Sequence, residues 1–186
     1  MIAFVLLHPL AALPAPRSVS EFEPQDSALK LPLTDPRIVV YKKRRQLELY
    51  SNNGIVRTYR VGLGFNPSAD KIKEGDGCTP EGEFYVFTKN SKSAYHLSLG
   101  VSYPNVEDAQ RGLRDKLISK QEHDAIVKAI EQGKRPPQNT ALGGLIYIHG
   151  NGASRDWTLG CVALEDQHVE ELFAAVSVGT PITIKP

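Results

Sequence analysis

Between Arg37 and Val61 three strand-like segments follow one another with only turn residues between them. Ile38-Val39-Val40-Tyr41 and Gln46-Leu47-Glu48-Leu49-Tyr50 flank the basic run Lys42-Lys43-Arg44-Arg45, and Asn53-Gly54 precedes Ile55 to Val61. Asn-Gly is the dipeptide that best tolerates the positive φ of a tight hairpin. The stretch therefore predicts a three-stranded meander. The basic run, lying between two strands, is expected to be a solvated hairpin turn.

The rest of the chain extends this β-rich frame. Glu83 to Thr88 alternates as a strand, and Tyr95 to Val101 supplies another. Leu145-Ile146-Tyr147-Ile148 predicts a short buried strand ending at His149, and Ile182 to Ile184 a last one. Ser119 to Gln132 has helical spacing at Ala125, Ile126, Ala129 and Ile130, with Gly133 just past its end. Asp166 to Val176 predicts a second helix capped by Asp166. The fold class is mostly β (α+β), with two or more flanking helices. Gly62 to Gly82 is too long and Gly-rich for a simple connection, which marks it as a functional loop.

The 186 residues fit one domain, and 41% apolar with 23% charged residues can bury a globular core. A formal net charge of +1 carries no basic excess, so nucleic acid is not an expected partner. Met1 to Leu7 is apolar, and the small-residue stretch Leu10 to Ala15 follows. Together they resemble the core and cleavage region of a secretory leader, without the basic leading residues, since Arg17 is the first basic position. The expected organisation is a leader over 1–15, a linker over 16–36 rich in proline (Pro16, Pro24, Pro32, Pro36), and a folded domain over 37–186. A leader implies a periplasmic or other extracytoplasmic location. No later stretch is long and apolar enough to span a membrane as a helix.

Two cysteines, Cys78 and Cys161, are too few for a disulfide scaffold and form no C-x-x-C pair. They leave a single bridge or a functional thiol. His149 ends a strand, a Gly-rich loop follows, and Thr158-Leu-Gly-Cys161 comes next. A loop could fold back and set the imidazole beside the thiol as its base. Gly160 would let a substrate backbone approach and leave nearby amides free for an oxyanion. The bland alternative is a buried, inert Cys161 and a strand-end histidine.

The wording of these segments narrows the choice. Ile148-His-Gly150 followed by Thr158-x-Gly-Cys161 resembles the catalytic signature of the L,D-transpeptidase (YkuD) family. Upstream, Gly75-Asp-Gly-Cys-Thr-Pro-Glu-Gly82 resembles that family's Gly-Asp-x-x-Thr-Pro-Glu-Gly loop, and Ser102-Tyr-Pro-Asn105 with Asp108 is similar as well. The resemblance implies a YkuD-like β-sandwich and acyl transfer on peptidoglycan stem peptides. Cys161 would form a thioester, His149 would move the proton, Thr158 would orient His149, and the backbone at Gly160 and Cys161 would hold the oxyanion. It implies no metal and no cofactor, and the chain is expected to be a monomer. Gly150, Thr79, Gly82 and His96 become substrate-binding candidates, although turn geometry accounts equally for the 75–82 glycines and a structural role for His96. Trp157 is expected to anchor the loop, and His123 and His168 to lie on helix surfaces without a role.

Two positions depart from the family pattern. Leu159 stands where many members carry histidine, and Ala163 where many carry Arg or Asn. Arg155 is the candidate to replace the latter. These departures leave transpeptidase and L,D-carboxypeptidase or endopeptidase readings both open. A non-catalytic wall-binding domain is the rival from a different class.

Overall fold

The computed structural model describes residues 28–186. The leader expected at 1–15 and most of the linker lie outside the described residues. Part of the remaining linker is docked: Leu29 and Leu33 pack against the core, and the Thr34 carbonyl accepts the Asn52 amide.

The predicted meander is present as β1 (Arg37–Tyr41), β2 (Gln46–Ser51) and β3 (Gly54–Arg60), paired antiparallel. Five further strands complete one sheet: β4 (Gly82–Ser93), β5 (His96–Val101), β6 (Tyr147–His149), β7 (Val162–Ala163) and β8 (Pro181–Lys185). Their order is β3-β2-β1-β8-β4-β5-β6-β7. The long β4 pairs with β8 through Gly82–Tyr85 and with β5 beyond it. Register shifts along its β5 side let it bend from one half of the sheet to the other. The two ends of the sheet then meet, since Gly62 bridges Ala163 and Gly64 bridges Thr158.

Alternating side chains fill the space between the halves. Ile38, Val40, Leu47 and Leu49 from the meander meet Val86, Leu99, Ile148 and Ile182, all buried in one cluster. Each such side chain contributes roughly 1.5–3 kcal/mol of burial. Helix α3 (Asp166–Ala175) closes the cluster with Val169 and Leu172. Helices α1 (Val106–Arg114) and α2 (Lys120–Glu131) share a smaller core of Ala109, Ile118, Ile126 and Leu142.

Helix α2 follows the predicted stretch. Ser119 caps it, Glu122 reaches back to the cap, and Gly133 (φ 63°) ends it. Helix α1 is an addition to the predicted elements. Asn105 and Asp108 form its capping box, so the Tyr-Pro-Asn…Asp motif is a helix start. Two local expectations are corrected. Asp166 does not cap α3: Glu165 holds that position without a side-chain cap bond, its carboxylate accepting the Ala153 amide, and Asp166 accepts the Asn151 amide instead (2.8 Å). The basic turn is only half solvated. Lys43 and Arg44 are exposed, but Lys42 is 1% exposed and donates to the Ala69 and Thr79 carbonyls and to Glu81 (2.6, 2.9 and 2.7 Å). All three ammonium donors are satisfied, which is the condition for burying a lysine.

Candidate active site

Strand β6 carries His149 at its end, and β7 runs parallel beside it with Ile148 opposite Val162 and His149 opposite Ala163. Cys161 precedes Ala163 by two positions, so the pleat sets its side chain on the same face as His149, one strand over. Strand spacing and rise put the two Cβ atoms roughly 8 Å apart, a span that an imidazole and a thiol can bridge. Both residues line one cleft of about 680 Å³, together with Tyr95, Leu145, Trp157 and Leu159. The Cys161 thiol donates to the Leu145 carbonyl (3.5 Å) and accepts the Tyr147 amide (3.4 Å). Among the described residues it makes no hydrogen bond with His149.

The protonation pattern follows from the neighbours. His149 Nδ1 lies 2.7 Å from the Gly150 carbonyl. A carbonyl only accepts, so Nδ1 carries the proton and Nε2 keeps its lone pair. Burial holds the imidazole below its ordinary value, the Gly150 carbonyl opposing this. Burial also pushes the Cys161 thiol up to about 11, with the Tyr147 amide and Lys71 pulling the other way. Both shifts favour a neutral thiol and a neutral imidazole over a thiolate–imidazolium pair. Between two such neutral groups a thiolate arises only as the imidazole takes the thiol proton.

The segment beneath the thiol admits no side chain. Gly160 has φ 131°, and a Cβ there would lie 2.7 Å from the Cys78 carbonyl oxygen. The Thr158 hydroxyl donates to the Cys161 carbonyl (2.7 Å) and accepts the Gly160 amide (3.1 Å). Thr158 thus shapes the turn around Cys161, and its carbonyl accepts the Phe65 amide (3.0 Å), so neither hydroxyl nor carbonyl makes the expected hydrogen bond to His149. The Gly160 amide is engaged there too, which removes it from the expected oxyanion pair. The Cys161 amide makes no bond to another described residue and remains the available donor.

A model of the YkuD L,D-transpeptidase catalytic domain matches residues 35–184. The chain belongs to this family. Solved structures are similar in fold. Bd1075 of Bdellovibrio bacteriovorus is 22% identical, with a TM-score of 0.52, covering 85% of this chain and 51% of that one. Pgp2 of Campylobacter jejuni, described as a helical cell shape determining protein, is 23% identical with a TM-score of 0.52, covering 87% and 52%. An L,D-transpeptidase from Mycobacterium smegmatis is 12% identical with a TM-score of 0.48, covering 82% and 59%. The chain thus spans about half to three-fifths of the length of these relatives. Comparison with curated proteins found no match.

The other family-derived positions in this L,D-transpeptidase domain are not gathered at the thiol. Thr79 is fully buried and its hydroxyl accepts the Gly64 amide (2.9 Å). Gly82 opens β4 at φ 132°, where a Cβ would meet the Asn105 amide group at 2.9 Å. Both are structural parts of the Thr-Pro-Glu-Gly loop, whose Cys78 carbonyl underlies Gly160. His96 turns away and pairs with Glu170 (2.7 Å). Arg155 is exposed beside a separate hollow with Asn151 and Ser154. Asp156 is what fastens that loop, bonding Arg45 (2.8 Å) and the Leu63 amide (3.0 Å). Gly150 packs so closely against Asp166 and the β4–β5 hairpin that a Cβ would lie 2.5 Å from the Asp166 carboxylate. Trp157 anchors the loop as expected, donating to the Gly152 carbonyl (3.1 Å). His168 packs on Tyr59, with ring centroids 5.2 Å apart. Cleft wall residues that sequence reasoning missed include Tyr95, with Lys71, Glu74 and Gln138. A half-exposed aromatic at a hairpin tip carries no periodic signal, so only the tertiary fold reveals it.

Proposed function

We propose that this chain is an extracytoplasmic cysteine acyltransferase that remodels peptidoglycan stem peptides. The observation that carries this reading is one cleft lined by both Cys161 and His149, with the His149 Nδ1 edge engaged by the Gly150 carbonyl and Nε2 therefore left as the basic nitrogen. Cys161 Sγ attacks the carbonyl of the L-residue in an L–D peptide bond while its proton passes to His149 Nε2. The carbonyl oxygen becomes an oxyanion, for which the Cys161 amide is the nearest free donor. Collapse breaks the C–N bond, and His149 returns the proton to the departing D-amino acid. A thioester remains. An acceptor amine, or water, then attacks it with His149 again taking the proton, and the thiol is restored.

Incubation with purified muropeptides followed by intact-protein mass spectrometry tests this. The expected result is an acyl adduct on the wild-type chain that is lost in Cys161→Ala. Absence of both an adduct and any Cys161-dependent product would overturn the reading and favour a non-catalytic wall-binding domain. Product analysis with and without an added amine then separates transfer from hydrolysis. The extracytoplasmic location is tested by fractionation of cells carrying the full chain; recovery in the cytosol would reject it.

A further inference from the structure

The imidazole of His149 is covered by aromatic rings. Tyr95 lies against it with centroids 4.7 Å apart at 32°, and Trp157 meets it edge-on at 5.7 Å and 73°. The two rings also touch each other, at 5.9 Å. Trp157 belongs to the catalytic loop. Tyr95 comes from elsewhere, the tip of the hairpin between β4 and β5. It is 45% exposed, so its ring is not a core side chain. It spends one face on the histidine and shows the other to the cleft.

The backbone ties the same two residues together. The Gly150 amide donates to the Tyr95 carbonyl (3.0 Å), while the Gly150 carbonyl accepts His149 Nδ1 (2.7 Å). One residue after the histidine, Gly150, therefore fixes both the imidazole edge and the hairpin tip that carries the covering ring. The hairpin tip is itself pinned. His96 adopts φ 69° and pairs with Glu170 of α3 at 2.7 Å. Gly150 is where these pieces converge: a Cβ there would lie 3.0 Å from both His96 Cβ and the Tyr95 carbonyl.

We propose that Tyr95 is a positioning residue for His149: latched in place through His96 and Glu170, its ring blocks one face of the imidazole, keeps Nε2 aimed along the cleft and shields the base from water. This rests on the reading of His149 as the base for Cys161. A single hydrogen bond at Nδ1 leaves the imidazole free to rock, and a ring packed on its face removes that freedom. A base held in near-attack geometry avoids the large penalty of small misplacements. Of the charged groups around this corner, Glu170 pairs with His96 and Asp166 accepts the Asn151 amide, while Lys71, held by Asp76, and Glu74 line the same cleft. Burial and the Gly150 carbonyl are the two causes of the His149 shift, so removing the cover has a predictable sign.

The test compares wild type, Tyr95→Phe, Tyr95→Ala and Glu170→Gln by two readouts. One is NMR titration of the His149 ring, assigned with His149→Gln, which needs no peptide turnover. The other is the kcat and KM of stem-peptide acyl transfer. In Tyr95→Ala the His149 midpoint is expected to rise toward 6.5, and kcat to fall about tenfold to a hundredfold with KM nearly constant. Tyr95→Phe keeps the ring and should match wild type, while Glu170→Gln should move both readouts the same way by about threefold in kcat. An unmoved titration in Tyr95→Ala overturns the proposal. So does a rise in KM alone, which would make Tyr95 a substrate contact. If wild type turns nothing over, the functional reading fails while the titration still decides the role of Tyr95.

Discussion

Cys78 and Cys161 are free thiols on segments that touch, yet they occupy opposite situations. Cys78 is 2% exposed, in a loop whose Asp76 carboxylate accepts its amide. Burial and then the charge of Asp76 push that thiol up. Cys161 is pushed up by burial as well, so acidity does not separate the two. Access and a partner do. Cys161 opens on a cleft shared with His149, whereas Cys78 has neither cleft nor imidazole and instead lends its carbonyl as the floor under Gly160. A thiol of ordinary or raised pKa becomes a nucleophile when a base can take its proton during attack.

Removing each sulfur in turn breaks the comparison most sharply. Cys161→Ala should lower stem-peptide turnover by about 10⁴-fold or more, whereas Cys78→Ala should stay within about threefold of wild type, as suits a side chain that only fills space. Equal losses would mean that Cys78 takes part. Deleting the base comes next. His149→Ala should cost about 10²–10⁴ in kcat and leave Cys78 as unreactive to alkylating reagents as before. Thr158→Val removes the hydroxyl that holds the Cys161 carbonyl and the Gly160 amide. Urea denaturation should show a loss of about 1–3 kcal/mol; an unchanged midpoint would mean that the turn stands without it.

Acid–base behaviour gives the smallest effect and the finest distinction. The depressed His149 is neutral at pH 7 and gains a proton only below its ordinary value of 6.5. Turnover should therefore be present at neutral pH and fall on acidification, with a midpoint below 6.5. Alkylation of Cys161 by iodoacetamide should instead rise about tenfold per unit between about pH 7 and 9, since only the thiolate reacts. A pH-independent rate there would indicate a preformed thiolate–imidazolium pair.

Much of this was readable from sequence because it depends on local rules. Strand alternation and Asn53-Gly54 located the meander, the helical spacing from Ser119 with Gly133 past its end bounded α2, and the flanking residues singled out His149 and Cys161. What escaped depends on partners far along the chain. The basic run Lys42–Arg45 gave no sign that Lys42 is buried on Glu81, or that Arg45 binds Asp156. Helix α1 has too polar a sequence for its apolar spacing to stand out, although its capping box was present in Asn105 and Asp108. The packing of the substrate candidates was hidden for a related reason. Thr79, Gly82 and Gly150 sit in close tertiary contacts around the site, which their motif alone does not announce. Leu159, one departure from the family pattern, is 75% exposed and lines the cleft.

The bridges from Gly62 to Ala163 and from Gly64 to Thr158 have a consequence for the whole molecule. They join the segment after β3 to the catalytic segment, the places where the sheet would otherwise end in unpaired backbone. Open strand edges invite pairing with other chains. The turn that presents Cys161 is thus also the clasp of the sheet. A substitution that unseats it would free two sticky edges at once, so damage to this site should be visible as self-association as well as lost turnover.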